Sequence, residues 1–367
     1  MSQAPTAGQE YQRPRKGIAT LDEIAGFDTI IDTRSPAEFA DDHIPGAISC
    51  PVLDNAQRAE IGTLYKQVSP FAAKKLGAAY VSANIARHLQ ENFLDRDKGW
   101  RPLIVCWRGG MRSGAMATVF RSIGWDACQL EGGYKRFRQQ VLDDLETLPG
   151  RFRYVVLDGP TGSAKTRVLR ALAERGAQTL DLEGLACHKG SVLGRLPGQA
   201  QPAQKWFETQ IWDTLRRFDP TRPLFIEAES RKIGSLRLPA ALFAAMQAGP
   251  CCDIVADRPT RVAYLLSDYD YFTADGAALK ANLDTLRPLL GHARIAGWHQ
   301  QIDDGDFAGL TDSLLEHHYD PLYARARARD YGAATHQPLP AARLDATAID
   351  SLSAQLLAAH EPETVTA

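Results

Sequence analysis

Residues 106–114 read CWRGGMRSG and directly follow the apolar run Leu103-Ile104-Val105. The run predicts a short buried strand over residues 103–106, and residues 114–123 are apolar at helical spacing, so the segment reads as strand, loop, helix. Nearby cations, backbone N–H groups and a helix N-terminus all favour a thiolate. Cys106 is placed to receive all three. Gly109 and Gly110 let the backbone turn its amides inward, Arg108 and Arg112 offer charge-assisted hydrogen bonds to an oxyanion, and Ser113 is placed to cap the helix that follows. A lone cysteine at a strand end is more often a buried structural residue. The glycine-arginine loop overturns that prior here.

Outward from this loop, Phe27-Asp28-Thr29-Ile30-Ile31-Asp32 reads as a short buried strand near the start of a first domain, and residues 1–16 read as a flexible tail. Leu148-Pro149-Gly150 breaks a helical stretch, after which residues 152–158 supply a new apolar strand. The domain boundary is expected there, with a first α/β domain over 17–147 and a second over 151–300. Residues 178–182, 223–227 and 252–256 predict further strands, separated by segments long enough for helices, so a parallel sheet flanked by helices is expected. From residue 257 the chain reads as mainly helical. Residues 301–367 form an expected helical extension, in which Ile349, Leu352, Leu356 and Leu357 mark one amphipathic face before the polar ending EPETVTA.

The strand at 152–158 runs into a second loop, GPTGSAKT, Gly159 to Thr166, followed by the helical pattern of Val168, Leu169 and Leu172. That context is what a phosphate-binding P-loop requires. The backbone amides around Gly159, Thr161, Gly162 and Ser163 would cradle a diphosphate, Lys165 would neutralise it, and Thr166 is the candidate ligand for a magnesium ion. Ala164 stands where the consensus has its second glycine, and its methyl group restricts the backbone there. In Leu224-Phe225-Ile226-Glu227-Ala228-Glu229, either Glu227 or Glu229 could bring an acidic group beside the lysine. Asp181, Glu183, His188 and Ser191 follow a predicted strand, where open parallel sheets place their ligands. With Arg231 they complete the candidate pocket. A surface role for His188 is as good a reading as a catalytic one.

At 367 residues the chain suggests two or three domains, and its 44% hydrophobic and 23% charged content argues against global disorder. Six scattered cysteines, none in CxxC or Cys/His zinc spacing, exclude a disulfide scaffold and predict thiols. Cys50, Cys128, Cys251 and Cys252 read as structural, and Cys187 keeps a minor claim to function beside His188 and Lys189. A net charge of −2 supplies no global basic field, so a nucleic acid would need a local patch. Arg167, Arg170, Arg325, Arg327 and Arg329 are candidates for phosphate contact, each more often a solvated charge. Trp206, Phe207 and Trp212 could line an apolar pocket, although core packing is their commoner use. The N-terminus lacks an apolar signal region and no stretch approaches eighteen apolar residues, so a cytoplasmic protein with no membrane partner is expected. Oligomeric state is not legible.

The first loop resembles that of the rhodanese family, and the likeness extends to Asp32-Thr33-Arg34, Glu38-Phe39, His43-Ile44-Pro45-Gly46-Ala47 and the closing Leu130-Glu131-Gly132-Gly133. The resemblance implies a rhodanese-like α/β domain in which Cys106 carries sulfur or selenium. Two departures stand out. Asp42 replaces a glycine common before the histidine, a change expected to affect only a turn. Cys106 and Arg112 are separated by five residues, one more than in a typical sulfurtransferase and the spacing of rhodanese-like phosphatases. A larger loop should accommodate a tetrahedral, phosphate-like group.

A rhodanese-like domain followed by a variant P-loop resembles the tRNA 2-selenouridine synthase family over nearly the whole chain. Residues 57–67, Glu229-Ser230-Arg231-Lys232-Ile233-Gly234 and His318-Tyr319-Asp320-Pro321-Leu322-Tyr323 add to the likeness. The resemblance implies conversion of wobble 2-thiouridine to 2-selenouridine in tRNA. An S-geranyl intermediate lies between them, with geranyl diphosphate and selenophosphate as substrates. It implies no tightly bound cofactor, and a selenophosphate-supplying enzyme is a candidate partner. The competing readings are a sulfurtransferase or Cys-x5-Arg phosphatase with a regulatory P-loop domain, and a noncatalytic nucleotide-binding protein that contacts RNA.

Overall fold

Two parallel sheets, each with a loop-to-helix transition at the C-terminal end of a central strand, organise the chain. The computed structural model describes residues 17–191, 194, 198–268 and 275–360; the tail at 1–16 and the ending EPETVTA lie outside the described residues. The chain folds as two compact units, Met1–Asp143 and Asp144–Ala367.

In the first unit the strands are β1 (Ile18–Ala19), β2 (Thr29–Asp32), β3 (Ile48–Ser49), β4 (Pro102–Val105) and β5 (Cys128–Leu130), in the order β1-β5-β4-β2-β3, all parallel. Parallel strands covered on both faces read as continuous apolar runs, and β4 is buried at every residue. Helices α1 (Pro36–Asp41), α2 (Asn55–Gln67), α3 (Pro70–Asn92), α4 (Met111–Ile123) and α5 (Gly133–Thr147) complete the unit, α5 continuing past its end. Met116, Ala117 and Phe120 of α4 pack with Ile31, Ile104, Trp100 and Phe93, fixing the helix against β4. The two-residue strand β1 has no periodic signal of its own and is defined by its pairing with β5.

The second unit contains β6 (Arg153–Asp158), β7 (Gln178–Leu180), β8 (Pro223–Glu227), β11 (Cys251–Val255) and β12 (His336–Pro340), parallel in the order β12-β11-β6-β8-β7. A small antiparallel ribbon joins β9 (Lys232–Ile233) to β10 (Leu236–Arg237). The helices are α6 (Lys165–Glu174), α7 (Leu182–Ala186), α8 (Gln204–Leu215), α9 (Ala240–Ala248), α10 (Arg258–Asp268), α11 (Gly276–Asp284), α12 (Arg287–Leu290), α13 (His292–Asp303), α14 (Phe307–Leu314), α15 (Asp320–Asp330) and α16 (Ala346–His360). Val168, Leu169 and Leu172 of α6 are buried against Val155 and Leu157 of β6 and against Ile349, Leu352 and Leu356 of α16. Burying side chains of this kind contributes roughly 1.5–3 kcal/mol each. This contact holds the P-loop helix in place.

The region after residue 300 is not purely helical. Strand β12 extends the sheet, with Cys251 opposite His336 and Val255 opposite Pro340. Its two prolines and its polar residues hide a strand pattern, and prolines are tolerated there because β12 is at the sheet edge.

Candidate functional site

The Cys106 loop is closed from behind by the turn into α5. Tyr134 N–H donates to the Cys106 carbonyl at 2.8 Å and Lys135 N–H to that of Trp107 at 3.0 Å. Gly133 takes φ +59°, and a Cβ there would stand 2.3 Å from the Cys106 carbonyl oxygen, so the residue must be glycine. Cys106 itself is buried at 3% exposure. Its sulfur accepts from Gly110 N–H at 3.2 Å and from the Ser113 hydroxyl at 3.0 Å. The inward amide expected of the glycines is therefore present. Gly110, not Ser113, occupies the cap position of α4, and Ser113 sits in the first turn with its hydroxyl on the nucleophile.

The two loop arginines differ. Arg108 is exposed at the loop. Arg112 donates to the Glu38 carboxylate at 2.7 and 3.3 Å. Burial works to raise the Glu38 pKa, but the Arg112 guanidinium and the N–H and hydroxyl of Ser35 outweigh it and hold the carboxyl at about 2. Gln129, not singled out from sequence, donates to the carbonyls of Gly109 and Gly110 at 3.3 and 3.2 Å and to Ser113 Oγ at 3.0 Å. A glutamine in a strand carries no signal of such a role.

Asp42 corrects the expectation that its substitution affects only a turn. It is fully buried, accepts from the Tyr134 hydroxyl at 2.8 Å and pairs with Arg138 at 3.6 Å. Arg34 pairs with Asp32 at 2.6 Å, donates to the Asp42 carbonyl at 2.6 Å and stacks 3.7 Å over the Tyr134 ring. The family-like stretches around Asp32, Asp42 and Tyr134 thus meet in one buried network.

In the second unit, the chain leaves β6 and turns through Gly159–Ala164 into α6. Gly162 has φ +85°, and a Cβ there would lie 2.8 Å from Leu265 Cδ1. Ala164 also takes a left-handed conformation, φ +60° and ψ +24°, at a cost of roughly 1–2 kcal/mol. Its buried methyl group packs with Val168 and Leu172 and offsets part of that cost. Lys165 Nζ donates to the Gly159 carbonyl at 2.6 Å, and the Thr166 hydroxyl donates to Glu183 at 3.1 Å.

A cavity of about 550 Å³ opens over this loop. Its lining includes Thr161, Gly162, Ser163, Lys165 and Thr166, together with His188, Ser191 and Glu229 from the candidate set. Asp181, Glu227 and Arg231 do not line it. Asp181 caps α7 by accepting from Gly184 N–H at 2.7 Å and lies 3.5 Å from Arg170. Arg231 is exposed on the approach to β9. Glu227, at the end of β8, is fully buried and neither carboxylate oxygen has a hydrogen-bond partner.

Glu183, Glu227 and Glu229 all have raised pKa values, with burial as the largest cause of each. Burial and then the Glu183 charge push Glu227 well up, and burial with Glu183 raises Glu229 to about 8. Glu183 is itself raised by burial, against the opposing charge of Lys165. Gly190 takes φ +61°, and a Cβ there would stand 2.9 Å from a Glu183 oxygen and 3.0 Å from a Glu229 oxygen. Glu183, one of the polar groups that follow β7, also lines the cavity. Tyr264, Asp268 and His318, which also line the cavity, come from helices far along the chain and share no local motif with the loop.

Other candidates have structural roles. Arg327 pairs with Asp158 at 2.9 Å and with Asp253, while Arg329 pairs with Asp330 at 2.5 Å. Arg325 donates to its own helix at Pro321. Phe207 is fully buried and Trp212 donates to Asp144 at 2.7 Å; neither they nor Trp206 line the cavity. Cys187 ends α7 in a left-handed conformation. Asp158, Cys251 and His336 bring potential metal-ligand atoms within 4.8 Å of one another. These atoms are already committed: Asp158 accepts from Tyr323 and Arg327, the His336 nitrogens face the Asp253 carboxylate and the Tyr331 carbonyl, and burial pushes the Cys251 thiol up to about 12, so it keeps its proton. This is an ion-pair network around a guanidinium.

Comparison with known proteins adds to this geometry. Residues 152–337 match the family model of the tRNA 2-selenouridine synthase AAA domain, and residues 18–140 match the rhodanese-like domain. A tRNA 2-selenouridine synthase of Alcanivorax borkumensis is 32% identical over 340 residues, covering 84% of this chain and 92% of the relative. The chain belongs to the tRNA 2-selenouridine synthase family. The synthases of Nitrosomonas europaea and Cupriavidus necator are 34% and 33% identical, over 73% and 81% of this chain and 70% and 88% of theirs. Both loops of the present chain fall inside the two matched domains of that family. Among the described residues, no helix is long and apolar enough to cross a membrane.

Proposed function

We propose that the chain converts 2-thiouridine at the wobble position of tRNA to 2-selenouridine through an S-geranyl intermediate. The observation that carries this reading is the presence, on one synthase-family chain, of a thiol held by Gly110 and Ser113 in one loop and a P-loop cradle with Lys165 in another. Each loop suits one anionic substrate. The Gly159–Thr166 backbone and Lys165 hold the diphosphate of geranyl diphosphate, so that the leaving group departs into positive potential. Cys106, with the exposed Arg108, handles selenophosphate, whose selenium stays at the selenide level: its electron pair attacks C2, geranylthiol leaves, and water then releases the phosphorus as phosphate; Arg112, already committed to Glu38, positions the loop.

Alkylation prepares the base for exchange. A neutral geranylthiol leaves C2 of the pyrimidine more readily than a thiolate does, so selenium attacks a carbon activated by the first step. Magnesium fits the P-loop side on donor chemistry: the Thr166 hydroxyl and the Glu183 carboxylate are hard oxygen donors, and Glu227 behind them has two unpartnered oxygens. When bound there, it would neutralise charge on the diphosphate. The partners are tRNA and, for supply, an enzyme that makes selenophosphate.

Nucleoside analysis of tRNA incubated with geranyl diphosphate and selenophosphate tests the reading. Cys106→Ser should stop selenium entry and leave S-geranyl-2-thiouridine, whereas Lys165→Ala should impair geranylation. Normal 2-selenouridine formation by both variants would refute the assignment. Phosphate release from aryl phosphates with unchanged tRNA would favour the phosphatase reading instead.

A further inference from the structure

The cavity over the P-loop has a second wall that phosphate chemistry does not use. Leu315–Tyr319 forms a single π-helical turn between α14 and α15. Such turns are rare and frequent at functional positions. His318, in this turn, lines the cavity at 2% exposure, and neither ring nitrogen has a hydrogen-bond partner. Its ring meets that of Tyr319 edge-on, 4.9 Å between centroids. Buried polar atoms are normally paired, so these nitrogens are placed to meet a polar group inside the cavity.

The wall is tied to the phosphate loop. Arg261 donates to the Thr161 carbonyl at 3.0 Å and to both Asp320 oxygens at 2.8 Å, and the Tyr323 hydroxyl donates to Asp158 at 3.0 Å. These bonds tie the C-terminal side of the segment that carries His318 to the residues on either side of Gly159 and Pro160. A molecule whose diphosphate lies on the loop therefore shares its cavity with this imidazole.

The charges around the cavity come from several elements. Lys165, Arg167 and Arg170 lie on α6; Glu183 lies on α7 and Lys189 and Glu229 on the connecting loops; Asp268 and the Tyr264 hydroxyl lie on α10. Tyr319 and Tyr323 flank His318 on its own segment. None of these groups hydrogen-bonds to His318, and burial alone lowers its pKa below the usual 6.5. The ring is neutral at neutral pH, with one nitrogen able to accept a proton.

Resting on the function proposed above, we propose that His318 is a catalytic residue that takes the N3 proton of the thiouracil as its sulfur is alkylated. A sulfur electron pair forms the bond to C1 of the prenyl group, and the C1–O bond breaks with its pair leaving on the diphosphate. The N3–H electrons become the C2–N3 double bond as the C2–S double bond becomes single. The proton goes to the His318 imidazole and then to solvent. Without that transfer, alkylation would leave a cationic base in the cavity. The base is then neutral and the diphosphate stays on the loop.

The test uses the full chain, geranyl diphosphate and an anticodon stem-loop containing wobble 2-thiouridine, with single-turnover S-geranylation as readout. His318→Gln keeps a hydrogen-bonding side chain but cannot carry the proton. Its rate should fall roughly 10²–10⁴-fold at pH 7 and recover as pH rises and the base ionises unaided, while affinity for inorganic pyrophosphate is unchanged. Unimpaired geranylation, or loss of pyrophosphate affinity in proportion to rate, overturns the role. If the variant does not fold, the wild-type profile decides: a limb below pH 6.5 supports the proposal and a flat profile from pH 5 to 8 overturns it. Absence of S-geranylation by the wild type refutes the function reading itself, a result distinct from an active wild type with an equally active variant.

Discussion

The Ser113 hydroxyl lies 3.0 Å from the Cys106 sulfur and 3.0 Å from the Gln129 amide that donates to it. Gln129 thereby turns the hydroxyl proton away from itself, towards the sulfur or the Gly110 carbonyl. Ser113→Ala removes one of the two donors to the sulfur. Losing a hydrogen bond of about 1 kcal/mol slows thiolate chemistry roughly fivefold. Iodoacetamide labelling of Cys106, followed by peptide mass analysis at pH 7, should show that slowing; an unchanged rate would remove Ser113 from the account.

Glu38 links stability to acid through Arg112. Its folded-state carboxyl, at about 2, lies below its ordinary value of 4.5. The pair's contribution is therefore fully present above about pH 4.5 and lost as pH falls through 2. Glu38→Gln should cost on the order of 1 kcal/mol at pH 7, since the partly exposed pair is screened. Urea unfolding of both proteins across pH 2–7 should show the difference closing at the acid end.

The opposite sign applies to Glu229. Its pKa of about 8 exceeds the ordinary 4.5, so its favourable contribution is complete below pH 4.5 and lost as pH rises through 8. Glu229→Gln should become more stable relative to wild type between pH 4.5 and 8, with the gap level above that range. Thermal melts at pH 5, 7 and 9 measure it. A constant gap would show that Glu229 is already ionised at pH 5.

Ala164 permits a sharper test of backbone strain. Ala164→Gly relieves the left-handed alanine but gives back chain entropy and a buried methyl, so stability should change by less than about 1 kcal/mol. Ala164→Val adds a β-branched side chain at positive φ and should destabilise by more than about 2 kcal/mol. Denaturant midpoints of the two variants distinguish these effects.

The two loop regions were legible because each carries its chemistry locally. Cys106 to Gly110 are contiguous, as are Gly159 to Thr166, and each run follows an apolar strand. What supports them was less legible for a physical reason. Gln129 and Ser113 act through hydrogen bonds to other loop atoms, and Glu38 reaches Arg112 across 74 positions. The cavity wall at Tyr264 and His318 is brought to Gly162 by tertiary packing, which leaves no period in the sequence. Asp42 read as a turn substitution because burial, and not its type, determines what a carboxylate does. Arg327 read as a surface charge because its partners Asp158 and Asp253 lie on two distant strands.

The edge strand β12 and the helix α16 that follows it determine when the second unit can become complete. Strand β11 pairs on one side with β12, and α6 is covered by α16. On a ribosome, the first unit's sheet is fully synthesised once residue 130 has emerged. The phosphate loop, made shortly afterwards, has its helix against β6 early but must wait until Ala346–His360 is made before α16 covers the helix. During that interval the side of α6 that α16 will cover stays open to water, and nascent chains halted before residue 345 should be the ones that chaperones retain.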